Sequence, residues 1–116
     1  QNDNIQMAQL LLDNKADVNK ADIDGITPLQ GAAQNDNIQM AQLLLDNKAD
    51  VDKADEEDVT PLCEAVQNNN IQMVQLLLDY KANVHKANNA ALYLAAKEGK
   101  TQIVELLIGN VGSLAD

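Results

Sequence analysis

The chain has 116 residues, 46% of them hydrophobic, with 18 acidic against 8 basic side chains and a formal net charge of −10. That length suits one domain, and the acidic balance argues against duplex nucleic acid or an anionic membrane as a partner, since both need a basic face. The single cysteine excludes an intrachain disulfide, and neither a secretory signal nor an apolar run near the roughly 20 residues of a membrane span is present. With two Tyr and no Phe or Trp, a core must come from Leu, Ile, Val, Met and Ala. The expected location is cytoplasmic, in the chain's own cell or after delivery into a host.

Residues 1–17 read as half of a repeating unit. Ile5, Ala8, Leu11 and Leu12 recur at the spacing of an amphipathic helix's apolar stripe. Asp3 or Asn4 is placed to cap its start, and Lys15 lies near its C-terminal end, where a cation favours the helix dipole. From Ala16 to Ile26 the helical period disappears, and Asp24-Gly25 signals a turn between short extended arms. Thr27-Pro28 restarts a helix: the hydroxyl caps free backbone N–H groups, and proline at the first helical position has no N–H to satisfy. Leu29, Ala32 and Ala33 give this short helix a face of small residues that lets another helix pack close. Asn35-Asp36-Asn37 then interrupts it, and Ile38 opens a longer helix.

The eighteen residues 34–51, QNDNIQMAQLLLDNKADV, also stand letter for letter at 1–18. They return at 67–84 with four changes, Asn69, Val74, Tyr80 and Asn83, and the spacing is 33 residues both times. Such a period marks stacked units, none of which buries its apolar face alone. The unit at 51–83 keeps Thr60-Pro61-Leu62, but its tip changes from Asp22-Ile23-Asp24-Gly25 to Asp55-Glu56-Glu57-Asp58. The last unit is three residues shorter, the loss falling between Ala87 and Leu92. Ala90-Ala91 stands where Thr-Pro stood, so this helix is expected to start there without a cap. Ile103, Val104, Leu106, Leu107 and Ile108 form the final long helix, followed by a frayed tail from Gly109 to Asp116. The chain opens mid-unit, at a turn and without an initiator Met, which reads as a fragment or a processed piece.

This pattern resembles an ankyrin-repeat array. The residues that carry the resemblance are Asp22-x-x-Gly25-x-Thr27-Pro28-Leu29-x-x-Ala32-Ala33, then Leu43-Leu44-Leu45 and Ala49-Asp50-Val51-Asp52, and it spans the whole chain. The resemblance implies an all-α solenoid of stacked helix-turn-helix units with short hairpin or loop tips. It also implies a single domain over 1–116: a half repeat at 1–17, repeats at 18–50 and 51–83, and a shortened repeat with its tail at 84–116. Some positions depart from the family. Gln30, Cys63 and Tyr93 replace a histidine that links neighbouring repeats; Gln30 retains the means to do so, Cys63 only weakly. Lys15, Lys48, Lys81 and Val111 occupy the left-handed position that the family gives to glycine after the long helix. A β-branched residue fits that conformation poorly, so the last helix is expected to end differently. Asp36 and Asn69 replace glycine between the helices, where only Gly99 keeps it, and both tolerate the left-handed region.

The function implied by the resemblance is non-catalytic protein–protein interaction through a concave surface of tips and short helices. Carried over residue by residue, the candidate partner-binding positions of the first full repeat are Ala21, Ile23, Asp24, Ile26, Gly31 and Gln34. In the second they are Ala54, Glu56, Glu57, Val59, Glu64 and Gln67, and in the third Leu94 and Lys97. The residues point the same way without the family. The two full repeats share their long helix almost unchanged, yet differ at 23/56, 24/57, 26/59, 30/63, 31/64 and 33/66. Ile23 and Ile26 beside an acidic tip make a mixed contact patch, with neutral drift on a solvated edge as the bland alternative. The expected partner is a protein with a basic or mixed apolar and basic surface. The competing view is a purely structural or engineered scaffold, or a fragment of a larger array, with no partner of its own. Two identical eighteen-residue blocks suit recent duplication or design. In that view Ile5, Leu11 and Leu12 lie partly uncovered unless further repeats or self-association cover them.

No catalytic, cofactor or metal site is expected. His85 and Cys63 are each unique, so neither a His/Cys metal set nor a Cys–His nucleophile recurs. Asp22-x-Asp24-Gly25 opens like a calcium loop but lacks the remaining ligands and the distal glutamate. Cys63 reads as a buried inert thiol. His85, in the slot of Asn19 and Asp52, reads as a local hydrogen-bonding residue.

Overall fold

A computed structural model describes the backbone of residues 2–111 and the side chains of residues 5–86 and 89–110. Among the described residues there are seven helices and no strand: α1 (Asn2–Asp13), α2 (Pro28–Gln34), α3 (Ile38–Asp46), α4 (Pro61–Gln67), α5 (Ile71–Asp79), α6 (Lys86–Lys97) and α7 (Thr101–Val111). They form two layers. Helices α2, α4 and α6 lie side by side in one row and α1, α3, α5 and α7 in the other, with α2 packed on α3, α4 on α5 and α6 on α7. The array measures 40 × 28 × 26 Å.

Each junction follows from short-range chemistry. The Thr27 hydroxyl accepts from the N–H of Gln30 at 3.2 Å and that of Thr60 from Cys63 at 3.2 Å, and each is followed by the proline that opens its helix. Asn37 and Asn70 cap α3 and α5 by accepting from the N–H groups of Met40 and Met73. Helices α1, α3 and α5 end in a Schellman motif: in α3 the N–H of Lys48 reaches the carbonyl of Leu45 at 3.1 Å and that of Ala49 the carbonyl of Leu44 at 3.0 Å. This closure needs a left-handed residue, and Lys15, Lys48 and Lys81 take it at φ 70°, 73° and 73°. Asp36, Asn69 and Gly99 do the same between the helices, at φ 57°, 57° and 67°.

The rows close on small residues. Ala32, Ala33, Ala65 and Ala95 are buried in the short row and let its helices approach. Leu44, Leu45, Met73, Leu77, Ile103 and Leu107 fill the space between the layers. Polar bonds tie one repeat to the next. The Asn19 side chain accepts from the N–H of Asp50, and Asp52 from that of Asn83, each at 2.8 Å. The Asn68 amide donates to the carbonyls of Ala33 and Gln34 at the end of α2. Lys100 does the same for α4, donating to the carbonyls of Val66 and Gln67 while pairing with Glu98 at 3.0 Å.

The structure departs from expectation at several ends. Helix α6 begins at Lys86 rather than at Ala90, because the shortened tip is drawn into the helix. Asn89 keeps a left-handed φ of 66° within it. The start does lack a side-chain cap, and the His85 imidazole contacts Asn89 Oδ1 locally, as its slot suggested. Helix α7 runs through Gly109 and Asn110 to Val111, so those residues are helical rather than frayed and Val111 is not left-handed; residues 112–116 lie outside the described residues. Helix α1 starts at Asn2, ahead of Asp3 and Asn4, whose side chains lie outside the described residues. Lys15 lies beyond the last turn of α1 and shapes it through its backbone. The arms flanking Asp24-Gly25 form no strand; the tip closes on two backbone bonds, from Asp22 N–H to the Ile26 carbonyl and from Gly25 N–H to the Asp22 carbonyl, each at 3.0 Å.

Candidate functional site

The tips are built by their first aspartate. One Asp22 carboxylate oxygen accepts from the N–H groups of Asp24 at 2.9 Å and Ile26 at 3.0 Å, and Asp55 Oδ1 accepts from Glu57 at 2.8 Å and Val59 at 3.0 Å. Gly25 supplies the left-handed residue of the first tip at φ 79°, and Asp58 replaces it in the second at φ 66°. Glycine matters at the first: a Cβ there would stand 3.0 Å from the backbone nitrogen of Glu56. That closeness lets the Glu56 N–H reach the Asp24 carbonyl at 3.3 Å, so the two tips stack. Among the described residues no group of three or more His, Cys, Asp or Glu side chains is placed to hold a metal ion.

Ile23 is 92% exposed, a large aliphatic side chain at the summit of its tip. Asp24, Glu56 and Glu57 are exposed beside it, with Ala21, Ala54, Ile26 and Val59 half-buried. Asp24, Ile26, Glu56 and Glu57 line one cavity of about 320 Å³ together with Asp55. Glu57, Val59, Gln67 and Leu94 line a second, of about 390 Å³, with Asp58, Cys63, Ala90 and Tyr93. Gly31 is half-exposed, with open space where a Cβ would stand. Lys97 is exposed at the end of α6 and belongs to neither lining.

Gln34 and Glu64 meet in a hydrogen bond of 2.9 Å. Glu64 also belongs to a bridge between repeats. Fully buried Gln30 donates from Nε2 to Asp55 Oδ2 at 2.9 Å and to Glu64 Oε2 at 3.2 Å, so one amide holds two carboxylates of the following repeat. Its Oε1 is buried without a partner among the described residues. Partial burial pushes the Asp55 carboxyl up, but the bonds from Val59 N–H, the Gln30 amide and Glu57 N–H together outweigh it and hold the group below its usual 3.8. Gln30 thus does the bridging work expected of it. The same slot holds a buried, free Cys63 in the next repeat and, in the last, a Tyr93 that is 67% exposed.

Sequence reasoning noted Asp58 in the acidic tip and Tyr93 in the histidine slot but counted neither among the partner-binding positions. The signal for Tyr93 was present: it is one of two aromatic residues, and it falls in a slot held elsewhere by smaller side chains. Also unanticipated was Tyr80, whose hydroxyl donates to Asp46 Oδ1 of the preceding repeat and accepts from Gln42 Nε2. On the opposite end, Met7, Leu10 and Leu11 of α1 are 57%, 56% and 54% exposed. An apolar cavity of about 370 Å³ runs beside them, lined by Leu11 and Leu12 with Val18, Met40 and Leu44. The partial uncovering expected of α1 is therefore present, with Leu11 exposed and Ile5 and Leu12 half-buried.

No helix among the described residues is long and apolar enough to cross a membrane. The family model described as ankyrin repeats (3 copies) matches residues 1–88 and 48–115. No curated protein matches the chain. Two rows of helices, Thr-Pro caps at the head of the short row, left-handed closures at the foot of the long row and a family match over nearly the full length lead to one conclusion: the chain belongs to the ankyrin-repeat family, whose members are generally protein–protein interaction modules and typically non-catalytic.

Proposed function

We propose that this chain is a non-catalytic binding module that docks a partner protein on its tips and short-helix face. The observation that carries the reading is Ile23, 92% exposed at a tip whose neighbours are the carboxylates of Asp24, Glu56 and Glu57. Nothing in the packing of its own repeat requires a large aliphatic side chain there, and an apolar anchor inside a charged rim suits an interface. The partner surface is basic, or mixed apolar and basic. The positions assigned to it are Ile23, Asp24, Ile26, Gly31, Gln34, Glu56, Glu57, Val59, Glu64, Gln67, Leu94 and Lys97. The chain as a single domain, with repeats at 18–50 and 51–83 between a half repeat at 1–17 and a shortened one at 84–116, is part of the same reading.

The test is a paired capture from a cell lysate, one bait wild-type and the other carrying Ile23→Ser, Ile26→Ser, Glu56→Lys and Glu57→Lys, with helicity checked by circular dichroism. A protein retained by the first bait and lost by the folded second supports the reading. Equal capture by both removes it.

A purely structural role is favoured by a different observation, the exposed Met7, Leu10 and Leu11 on α1. In that reading the uncovered face drives self-association. Sedimentation velocity over a range of concentrations tests it: a monomer throughout rejects the idea, and an oligomer dissolved by Leu10→Glu and Leu11→Glu supports it.

A further inference from the structure

We propose that the groove between α4 and α6 seats a single cationic side chain, arginine or lysine, presented by the partner protein. This rests on the reading that the tip and short-helix face is the binding face. The groove exists because of the shortened last repeat. Between α2 and α4, the tip of the following repeat closes over the edge: Asp55 reaches Gln30, and Glu64 joins it. Between α4 and α6 no such tip follows, because the three missing residues leave it drawn into α6. Half-buried Val59, Ala90 and Leu94 and the buried Cys63 instead line a cavity between the two helices.

The chemistry of this cavity is that of a cation seat. Its apolar lining suits the methylene stem of a long basic side chain, which covers apolar surface while its charge stays in water. Tyr93, 67% exposed where Gln30 and Cys63 are buried, offers an aromatic ring, and rings of this kind attract guanidinium and ammonium groups. The exposed carboxylates of Glu57 and Asp58 line the same cavity and supply the opposite charge. Asp58 is fixed in place by its left-handed turn, so its carboxylate is presented by a constrained backbone. Two exposed cations flank the cavity on α6, Lys86 a turn before Ala90 and Lys97 a turn beyond Tyr93, and neither belongs to the lining.

The experiment is an NMR titration of the chain with two small probes, N-acetyl-arginine methylamide and its neutral isostere N-acetyl-citrulline methylamide. N-acetyl-lysine methylamide serves as a second cation. Saturable amide shifts are expected at Val59, Cys63, Ala90 and Leu94 with at least one cation, with affinity at least threefold weaker for the citrulline probe. Tyr93→Ala should weaken the cation by roughly two- to fivefold. Glu57→Gln with Asp58→Asn should remove it, asparagine keeping the left-handed turn; Lys97→Ala should leave affinity equal or raise it. Shifts that never saturate, that spread over Asp24 and Glu56 alike, or that survive Tyr93→Ala unchanged overturn the proposal. The two readings separate cleanly: a captured partner lost with the four tip substitutions but kept by Tyr93→Ala leaves the binding face standing and removes this seat.

Discussion

Replacing Lys48 and Lys81 by glycine tests the physics of the repeat's most regular joint. Both lysines hold φ 73° and close the Schellman motif of α3 and α5 through their backbone alone. Neither ammonium makes a hydrogen bond or ion pair among the described residues, so little is lost with the side chain. A residue with a Cβ in the left-handed region costs roughly 1–2 kcal/mol. Glycine returns about 0.5–1 kcal/mol of that through the greater freedom of the unfolded chain. The net expectation is about 0.5–1 kcal/mol of added stability per site and, if the sites act independently, about 1–2 kcal/mol for the pair. For a chain of this size that raises the thermal midpoint by about 4 °C per kcal/mol. Urea unfolding followed by far-UV circular dichroism measures it, with Lys48→Ala and Lys81→Ala as controls that remove the charge but keep the Cβ. Glycine variants no more stable than their alanine counterparts would show that the left-handed lysines carry no strain, and the reasoning would fail.

Gln30→Leu should cost about 1–3 kcal/mol, because Asp55 and Glu64 both lose the buried amide that bonds them; a urea midpoint equal to wild type would show that the bridge contributes nothing. The folded Asp55 carboxyl lies below its usual 3.8, so the unfolded chain takes up the proton more readily. Its contribution is therefore present above about pH 4 and lost as pH falls through the lower folded value, and Gln30→Leu should flatten that acid loss. At the other extreme, the hydrogen bond to Asp46, then burial and the Asp46 charge, raise Tyr80 above its usual 10.0 against the lowering effect of Gln42. Its neutral form is thus favoured by folding, and the stability it adds is present below about pH 10 and lost as pH climbs through the raised value. Ultraviolet titration of a Tyr93→Phe chain should show this late ionisation, and Asp46→Asn should bring it back toward 10; an unmoved titration rules out the Asp46 bond as the cause.

Legibility varied with the range of the forces involved. Thr27-Pro28 and Thr60-Pro61 declared their helices because a hydroxyl cap and a missing N–H are local facts, and both helices begin at the proline. The left-handed positions at Lys15, Lys48, Lys81, Asp36, Asn69 and Gly99 followed from the family resemblance, whereas those at Asp58 and Asn89 were not anticipated. The start of α6 was misplaced because a deletion changes which residues continue a helix, and no single residue there dictates the outcome. The end of α7 was misjudged for a related reason: Gly109 weakens a helix without ending it, and Asn110 bonds back to the Leu106 carbonyl at 2.9 Å. For the candidate surface, exposure at Ile23 followed from its place in a turn. The grouping of Tyr93 with Glu57 and Asp58 did not, because it depends on the stacking of two repeats and on a tip that is missing between them.

The identity of α1 and α3 in sequence has a consequence for how the chain finds its register. Over Ile5–Asp13 and Ile38–Asp46 every residue is the same, so the face that α2 seeks during folding is offered twice. A chain paired one repeat out of step would bury nearly the same local contacts, and α1 of one molecule is a chemically adequate substitute for α3 of another. The few residues that differ between repeats therefore serve as address labels. Gln30 finds two carboxylates only at Asp55 and Glu64, and Tyr80 finds its acceptor at Asp46 while Asn47 occupies the matching place one repeat earlier. Erasing those labels would leave each repeat's own packing intact and weaken the order in which the repeats are counted.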